Sequence, residues 1–151
     1  MKINTKVFGE TEIDDNKIII FPKGLIGFPD LKEFALIYDI EKGKKTIQWL
    51  QSLNEPGFAL PVIDPLYVCD GYNPKIDDDV LSDVAPLDDN SILVLVTVTV
   101  PHDLKKMTVN LKGPFVINAD TRKGCQVIVE DDSYAVKYPI YDILQEKKNN
   151  N

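Results

Sequence analysis

The hydrophobic positions of this chain recur mostly at every second residue, the period of a strand with one buried face. The clearest run is SILVLVTVTV, Ser91 to Val100. Ile92, Val94, Val96, Val98 and Val100 fall on one side, and Leu93, Leu95, Thr97 and Thr99 on the other. One face is apolar throughout and the second turns polar halfway, as in a central strand whose far end leaves the core. MTVNLK sets Met107, Val109 and Leu111 opposite Thr108, Asn110 and Lys112. PFVIN follows Gly113, and the turn TRKG folds it back into CQVIVE as a hairpin. Upstream, INTKVF, KIIIF, FALIYD, IQWLQS and ALPVI have the β-branched and aromatic content of strands. Pro61 has no ladder donor, which places ALPVI at an edge or a bulge.

Helical patterns are scarce. Asp30, with Glu33 three residues on, has the form of a capping box before a short helical turn. DDDVLSDVA, Asp77 to Ala85, predicts two turns with aspartates at the positive end, limited by Pro86. YPIYDILQ predicts one last turn that buries Ile140, Ile143 and Leu144. The pattern predicts an all-β fold, a small antiparallel barrel or sandwich, as a single domain with short helical turns over residues 1–145. A flexible polar tail, 146–151, is expected to follow. No repeat or linker divides the chain, and its 151 residues suit one domain.

Charge narrows the partners. There are 17 basic and 24 acidic residues, a net charge of −7. That disfavours tight binding to nucleic acid or to an anionic membrane, and it suits attraction of a basic partner at long range. No apolar run approaches the length of a membrane span, and the N-terminus lacks the apolar core of a signal peptide. A cytoplasmic location is expected. Cys69 and Cys125 stand in no metal-type or redox-type spacing and read as ordinary half-buried thiols.

Candidate chemistry is thin. The one histidine, His102, falls in a loop expected between two strands, and no GxSxG elbow is present. An enzyme here would use His102 or carboxylates paired in space. The acidic run of Asp77, Asp78 and Asp79, with Asp83, Asp88 and Asp89, lacks the glycine and terminal glutamate of a calcium loop. It reads as a solvated turn or an acidic contact surface. FPKGLIGFPDL, Phe21 to Leu31, lacks the third glycine, the following lysine and the long helix of phosphate loops. Gly24 and Gly27 are expected to supply backbone angles, with Leu25, Ile26 and Phe28 as core plugs or exposed anchors. No metal and no cofactor is expected. From Ser52 to Pro74 the chain turns at Asn54, Pro56 and Gly57, and again at Asp64–Pro65, with Tyr67 and Tyr72 beyond. Rigid turns with aromatics suit protein contacts, because little entropy is lost in ordering them.

Three stretches, FPKGLIGFPDLKEFALI, IQWLQSLNEPGFALPVIDP and NLKGPFVINADTRKGCQVIVEDDSYAVKYPI, together resemble the flagellar assembly factor FliW family. The likeness rests on Phe21, Pro22, Gly24, Gly27 and Phe28; on Leu50, Gln51, Ser52 and Pro56; and on Asp64 and Pro65. It continues through Asn110, Leu111, Pro114, Asn118, Gly124, Gln126 and Tyr134, in order along nearly the whole chain. Gly113, Pro61 and the segment Cys69 to Tyr72 depart from the family's pattern.

The resemblance implies a small antiparallel β-barrel-like protein without enzymatic activity that binds two proteins in turn. One is CsrA, a basic RNA-binding translational repressor, antagonised allosterically from outside its RNA-binding surface. The other is flagellin, so that flagellin synthesis is coupled to export. By residue type and loop position, the expected contacts are Asn54, Glu55, Pro56, Phe58, Tyr67 and Tyr72. Asp77, Asp78 and Asp79 are expected to act as steering charge. The alternatives are a flagellin-only export chaperone, or a small ligand-binding or hydrolytic β-barrel using carboxylates or His102.

Overall fold

The structure is a computed structural model, and it describes residues 1–37 and 47–149. Eleven strands form among the described residues: β1 (Lys2–Thr5), β2 (Gly9–Glu12), β3 (Ile19–Ile20), β4 (Glu33–Ile37), β5 (Gln48–Ser52), β6 (Ala59–Ile63), β7 (Ile92–Thr99), β8 (Thr108–Val109), β9 (Phe115–Asn118), β10 (Lys123–Gln126) and β11 (Tyr138–Pro139). Two α-helices, α1 (Pro65–Val68) and α2 (Tyr141–Asn149), lie after β6 and β11. Strands pair in the order β7-β6-β5-β4-β3-β10-β9, and a further pairing of β9 with β7 closes them into a seven-stranded barrel. Closure leaves the wall without an open edge. All pairings are antiparallel except β3 with β10, which meet in parallel at Ile20 and Lys123. Apart from this contact, the antiparallel barrel that the family resemblance implies is the barrel observed, and closure decides against the sandwich that the hydrophobic pattern left open.

Inward side chains fill the interior: Ile19, Phe21, Leu25, Phe34, Leu50, Val62, Leu95, Phe115 and Ile117. A barrel of about eight strands is just wide enough to be filled this way. Phe21 sits at the centre of the packing, edge-on to Phe34 at 5.4 Å and to Phe115 at 6.0 Å between ring centroids. Gly124 makes that possible. A Cβ there would lie 2.8 Å from the Phe21 ring, inside contact distance.

Alternate residues on the same strands point outward into three satellite clusters. The β1–β2 hairpin covers Ala35 with Ile3 and Ile13. The segment around Val84 covers Val116 and Val127. Helices α1 and α2 flank the largest satellite, which holds Ile63, Val68, Tyr72, Val96, Val98, Met107, Val109, Leu111 and Ile140. This explains the double apolar character of β7 and β9. On β7 the face containing Leu93 and Leu95 lines the barrel, while Val94, Val96 and Val98 pack outside it. Past Thr97 the strand leaves the barrel wall and pairs with β8 through Val98 and Thr99. Asn118 holds the Val84 segment in place: its Nδ2 donates to the carbonyls of Val84 and Pro86, both at 2.9 Å.

Several expectations change. Asp30 and Glu33 do not cap a helical turn. Glu33 opens β4, where Phe34 and Leu36 keep strand alternation and pair with β5. Backbone pairing on both sides outweighs a local capping signal. Pro61 is not in an edge strand, since β6 lies between β5 and β7. The β7 register begins only at Val62, so the missing N–H of Pro61 interrupts no ladder on that side. INTKVF stops at Thr5, whose hydroxyl accepts from the Phe8 N–H and donates to the Gly9 carbonyl to turn the chain. The strand of CQVIVE starts earlier, at Lys123, and its regular ladder ends at Gln126, although the N–H groups of Val127 and Val129 still donate to the carbonyls of Pro114 and Lys112. Within FALIYD, Tyr38 and Asp39 lie outside the described residues. DDDVLSDVA makes one 3-10 turn, Asp78–Leu81, rather than two helical turns. The last turn extends further than expected: α2 runs to Asn149 and packs Ile143 and Leu144 beside Ile140.

Candidate interaction surface

The turn between β5 and β6 is built on Gln51 and Asn54. Gln51 is fully buried, and its Nε2 donates to the carbonyls of Ser52, Pro56 and Phe58 at 2.9–3.2 Å. That orientation leaves its Oε1 without a partner among the described residues. The Ser52 hydroxyl accepts from the Glu55 N–H at 2.9 Å. Asn54 Oδ1 accepts from the backbone N–H groups of both Lys32 and Glu33, each at 2.9 Å. Asn54 therefore clamps the turn to the start of β4. Apart from Gln51 Oε1, the inward polar groups of Gln51, Ser52 and Asn54 are held, so little order is lost when a partner docks on the turn.

Outside, the turn presents Glu55 and Pro56, both exposed. Phe58 is half-buried, and its ring lies 4.7 Å from that of Phe28, which is 48% exposed. Phe28 belongs to the Phe21–Leu31 loop. In that loop Gly24 and Gly27 adopt φ of +69° and +87°, which L side chains rarely reach. A Cβ on Gly24 would also lie 2.4 Å from the carbonyl oxygen of Pro29. The loop folds back on itself, so Leu25 plugs the barrel while Ile26, 50% exposed, and Phe28 face outward. Gln126 ties it to the wall, its Oε1 accepting from the Ile26 N–H and its Nε2 donating to the Gly113 carbonyl. Of the three plug-or-anchor candidates, Leu25 is a plug, and Ile26 and Phe28 are exposed. Phe28 belongs beside Phe58, a pairing the linear sequence does not reveal because the two are thirty residues apart.

The other expected contacts lie elsewhere. Tyr72 is 7% exposed, which removes it from the accessible set. Its hydroxyl donates to the Leu111 carbonyl at 2.6 Å, and its ring meets Tyr134 edge-on at 4.8 Å. Burial, with smaller contributions from Tyr134 and Cys69, raises its pKa well above the usual tyrosine value. Tyr67 is half-buried under α2, with Lys147 Nζ 4.5 Å from its ring centroid. Asp77, Asp78 and Asp79 are exposed, and none makes an ion pair among the described residues. They are not on the Asn54 turn. Their segment is nonetheless tied to the Phe21–Leu31 loop, because Asp83 pairs with Lys23 at 3.4 Å.

Among the described residues no three His, Cys, Asp or Glu side chains gather as a metal site. His102 is exposed in the loop after β7. Cys69 and Cys125 are free thiols, and burial foremost, then Asp83, pushes Cys125 up to about 11. No helix among the described residues is long and apolar enough to cross a membrane.

Fold and surface together define a side-chain-filled β-barrel whose exposed aromatic and acidic groups stand on rigid turns. A family model described as FliW protein matches residues 2–140. The chain belongs to the FliW family. It is 48% identical over 148 residues to the flagellar assembly factor FliW of Lachnoclostridium phytofermentans, covering 97% of this chain and 95% of that protein. It is 46% identical over 151 residues to the flagellar assembly factor FliW of Lachnospira eligens, covering 99% and 100%. A crystal structure of the flagellar assembly factor FliW superposes with a TM-score of 0.85 at 30% identity, covering 93% of this chain and 97% of that one.

Proposed function

We propose that this chain is a cytoplasmic regulator of flagellar assembly that works by binding proteins. In this reading it antagonises the translational repressor CsrA and also binds flagellin, coupling flagellin synthesis to export. One observation carries the proposal: in a FliW-family chain, the turn of Asn54, Glu55 and Pro56 is pre-ordered, exposed and flanked by the Phe28–Phe58 pair. An ordered turn beside a partly exposed aromatic is the kind of anchor that dominates protein interfaces. The net charge of −7, with Asp77, Asp78 and Asp79 exposed, supplies long-range attraction for a basic partner. The same charge disfavours RNA on the resulting complex, which supports antagonism without occupation of the RNA surface. Flagellin, when it accumulates, takes this protein away from CsrA. Export of flagellin returns it.

Calorimetry against the host's CsrA, with and without flagellin, tests the reading. The expected result is binding that saturating flagellin abolishes. Binding that survives saturating flagellin removes the switch, and no binding to CsrA removes the antagonist role. Within that scheme Glu55→Lys and Asp78→Lys are expected to slow association with CsrA about tenfold at low salt and less at high salt. Rates unchanged across a salt series would refute the steering role.

A further inference from the structure

The barrel has a second end, away from the Phe21–Leu31 loop, and it opens on a cavity of about 400 Å³. Its floor is apolar, made by Ile19, Leu36, Leu93 and Ile117, two of which belong to the barrel core. Its rim carries two cations, Lys17 and Arg122. Among the described residues neither makes an ion pair, although the chain as a whole is acidic. Arg122 is held in place by the hairpin turn it occupies. Its backbone is left-handed, φ 60°, with its N–H donating to the Asn118 carbonyl and its carbonyl accepting from the Ile20 N–H, both at 2.8 Å. Lys17 ends a 3-10 turn capped by Asp14, whose side chain accepts from the Asn16 N–H.

The geometry points to a binding site for a small free organic acid, a single carboxylate on a compact apolar body. Barrel mouths of this size are common ligand sites, and an apolar floor under a few convergent polar groups is their usual form. The body would cover Leu36 and Leu93, the half-buried part of the floor, and remove them from water. The carboxylate would lie between Lys17 and Arg122 in charge-assisted hydrogen bonds. Asp64 stands on the same lining, its Oδ1 already accepting from the Leu66 N–H at 2.9 Å. That negative charge disfavours a phosphate dianion, which also has no apolar body for the floor. None of the residues expected to contact CsrA or flagellin lines this cavity, so the proposal stands apart from the partner-binding role.

An amide NMR titration tests it, with phenylacetate as the probe and neutral phenylacetamide as its control. Phenylacetate is expected to move the amides of Ile19, Ile117 and Ala119 and to leave that of Phe58 in place. Phenylacetamide is expected to bind about tenfold more weakly, and the Lys17→Gln, Arg122→Asn double variant to lose about tenfold in phenylacetate affinity. Asparagine tolerates the left-handed backbone at 122, so the variant keeps the turn. Should the double variant unfold, Lys17→Gln alone, on an exposed turn, carries the comparison. Equal affinity for acid and amide, undiminished binding by the variant, or no movement at the mouth would each overturn the assignment.

Discussion

The two ends of the barrel are finished differently. One is plugged by its own chain. The Phe21–Leu31 loop drives Phe21 and Leu25 into the interior, bonds to Gln126, and leaves Phe28 outside against Phe58. The other end keeps a cavity, with Lys17 and Arg122 above the Ile19–Ile117 floor. At the plugged end almost every polar group has a protein partner, and the surface suits a macromolecule that docks without rearranging it. At the open end the two cations have none among the described residues, and the space suits a small molecule. A filled barrel therefore does not commit both of its ends to the same use.

The contrast can be broken most severely at the plug. Phe21→Ala removes the ring that meets Phe34, Phe115 and Gly124, and it is expected to lower stability by about 3–5 kcal/mol in urea denaturation. A loss under 1 kcal/mol, roughly the scale of a mild swap, would mean the plug is not what fills that end. Gly24→Ala is expected to cost about 2 kcal/mol, since a Cβ meets the Pro29 carbonyl and the backbone angle is strained. It should also weaken any partner that uses Phe28, because the same loop places that ring.

Tyr72→Phe is a control away from both ends. It leaves the Leu111 carbonyl without its donor and is expected to cost about 1 kcal/mol at neutral pH. Because burial raises the folded-state pKa of Tyr72, its stabilising contribution is complete below the unfolded tyrosine value, about 10. It is lost as pH rises from there through the folded value, when only the unfolded state ionises freely. The variant should therefore lose stability less steeply above about pH 10, while Cys125, raised to about 11, keeps part of the slope in both proteins. Parallel alkaline curves would contradict the burial of the hydroxyl. The smallest effect is expected at the open mouth. Lys17→Gln should change stability by less than about 0.5 kcal/mol, because the exposed side chain makes no ion pair among the described residues.

Much of the plugged end was legible in the linear sequence. FPKGLIGFPDL carries two glycines without the third glycine, following lysine and long helix of phosphate loops, and both take the positive φ that the pattern suggested. The turn at Asn54, Pro56 and Gly57 was legible for the same reason, since turn chemistry is local. The Asp30–Glu33 capping pattern misled because a capping box is only a local option, and strand pairing decided the outcome. Tyr72 misled because an aromatic with a polar tip reads the same whether it faces solvent or a buried carbonyl. The mouth was not legible at all. Lys17 and Arg122 are far apart in the chain and each looks like an ordinary turn cation.

By itself the sequence determined the class of fold, the apolar faces of the long strands, the glycine-shaped loop and the likeness to the FliW family. These follow from periodicity and from backbone chemistry, which act over a few residues. Tertiary structure alone decided which apolar face of β7 lines the barrel, that Phe28 meets Phe58, and that one end stays open with two cations on its rim. Those outcomes depend on closure of β9 onto β7, a pairing that brings distant segments together and has no signature in any local stretch of chain.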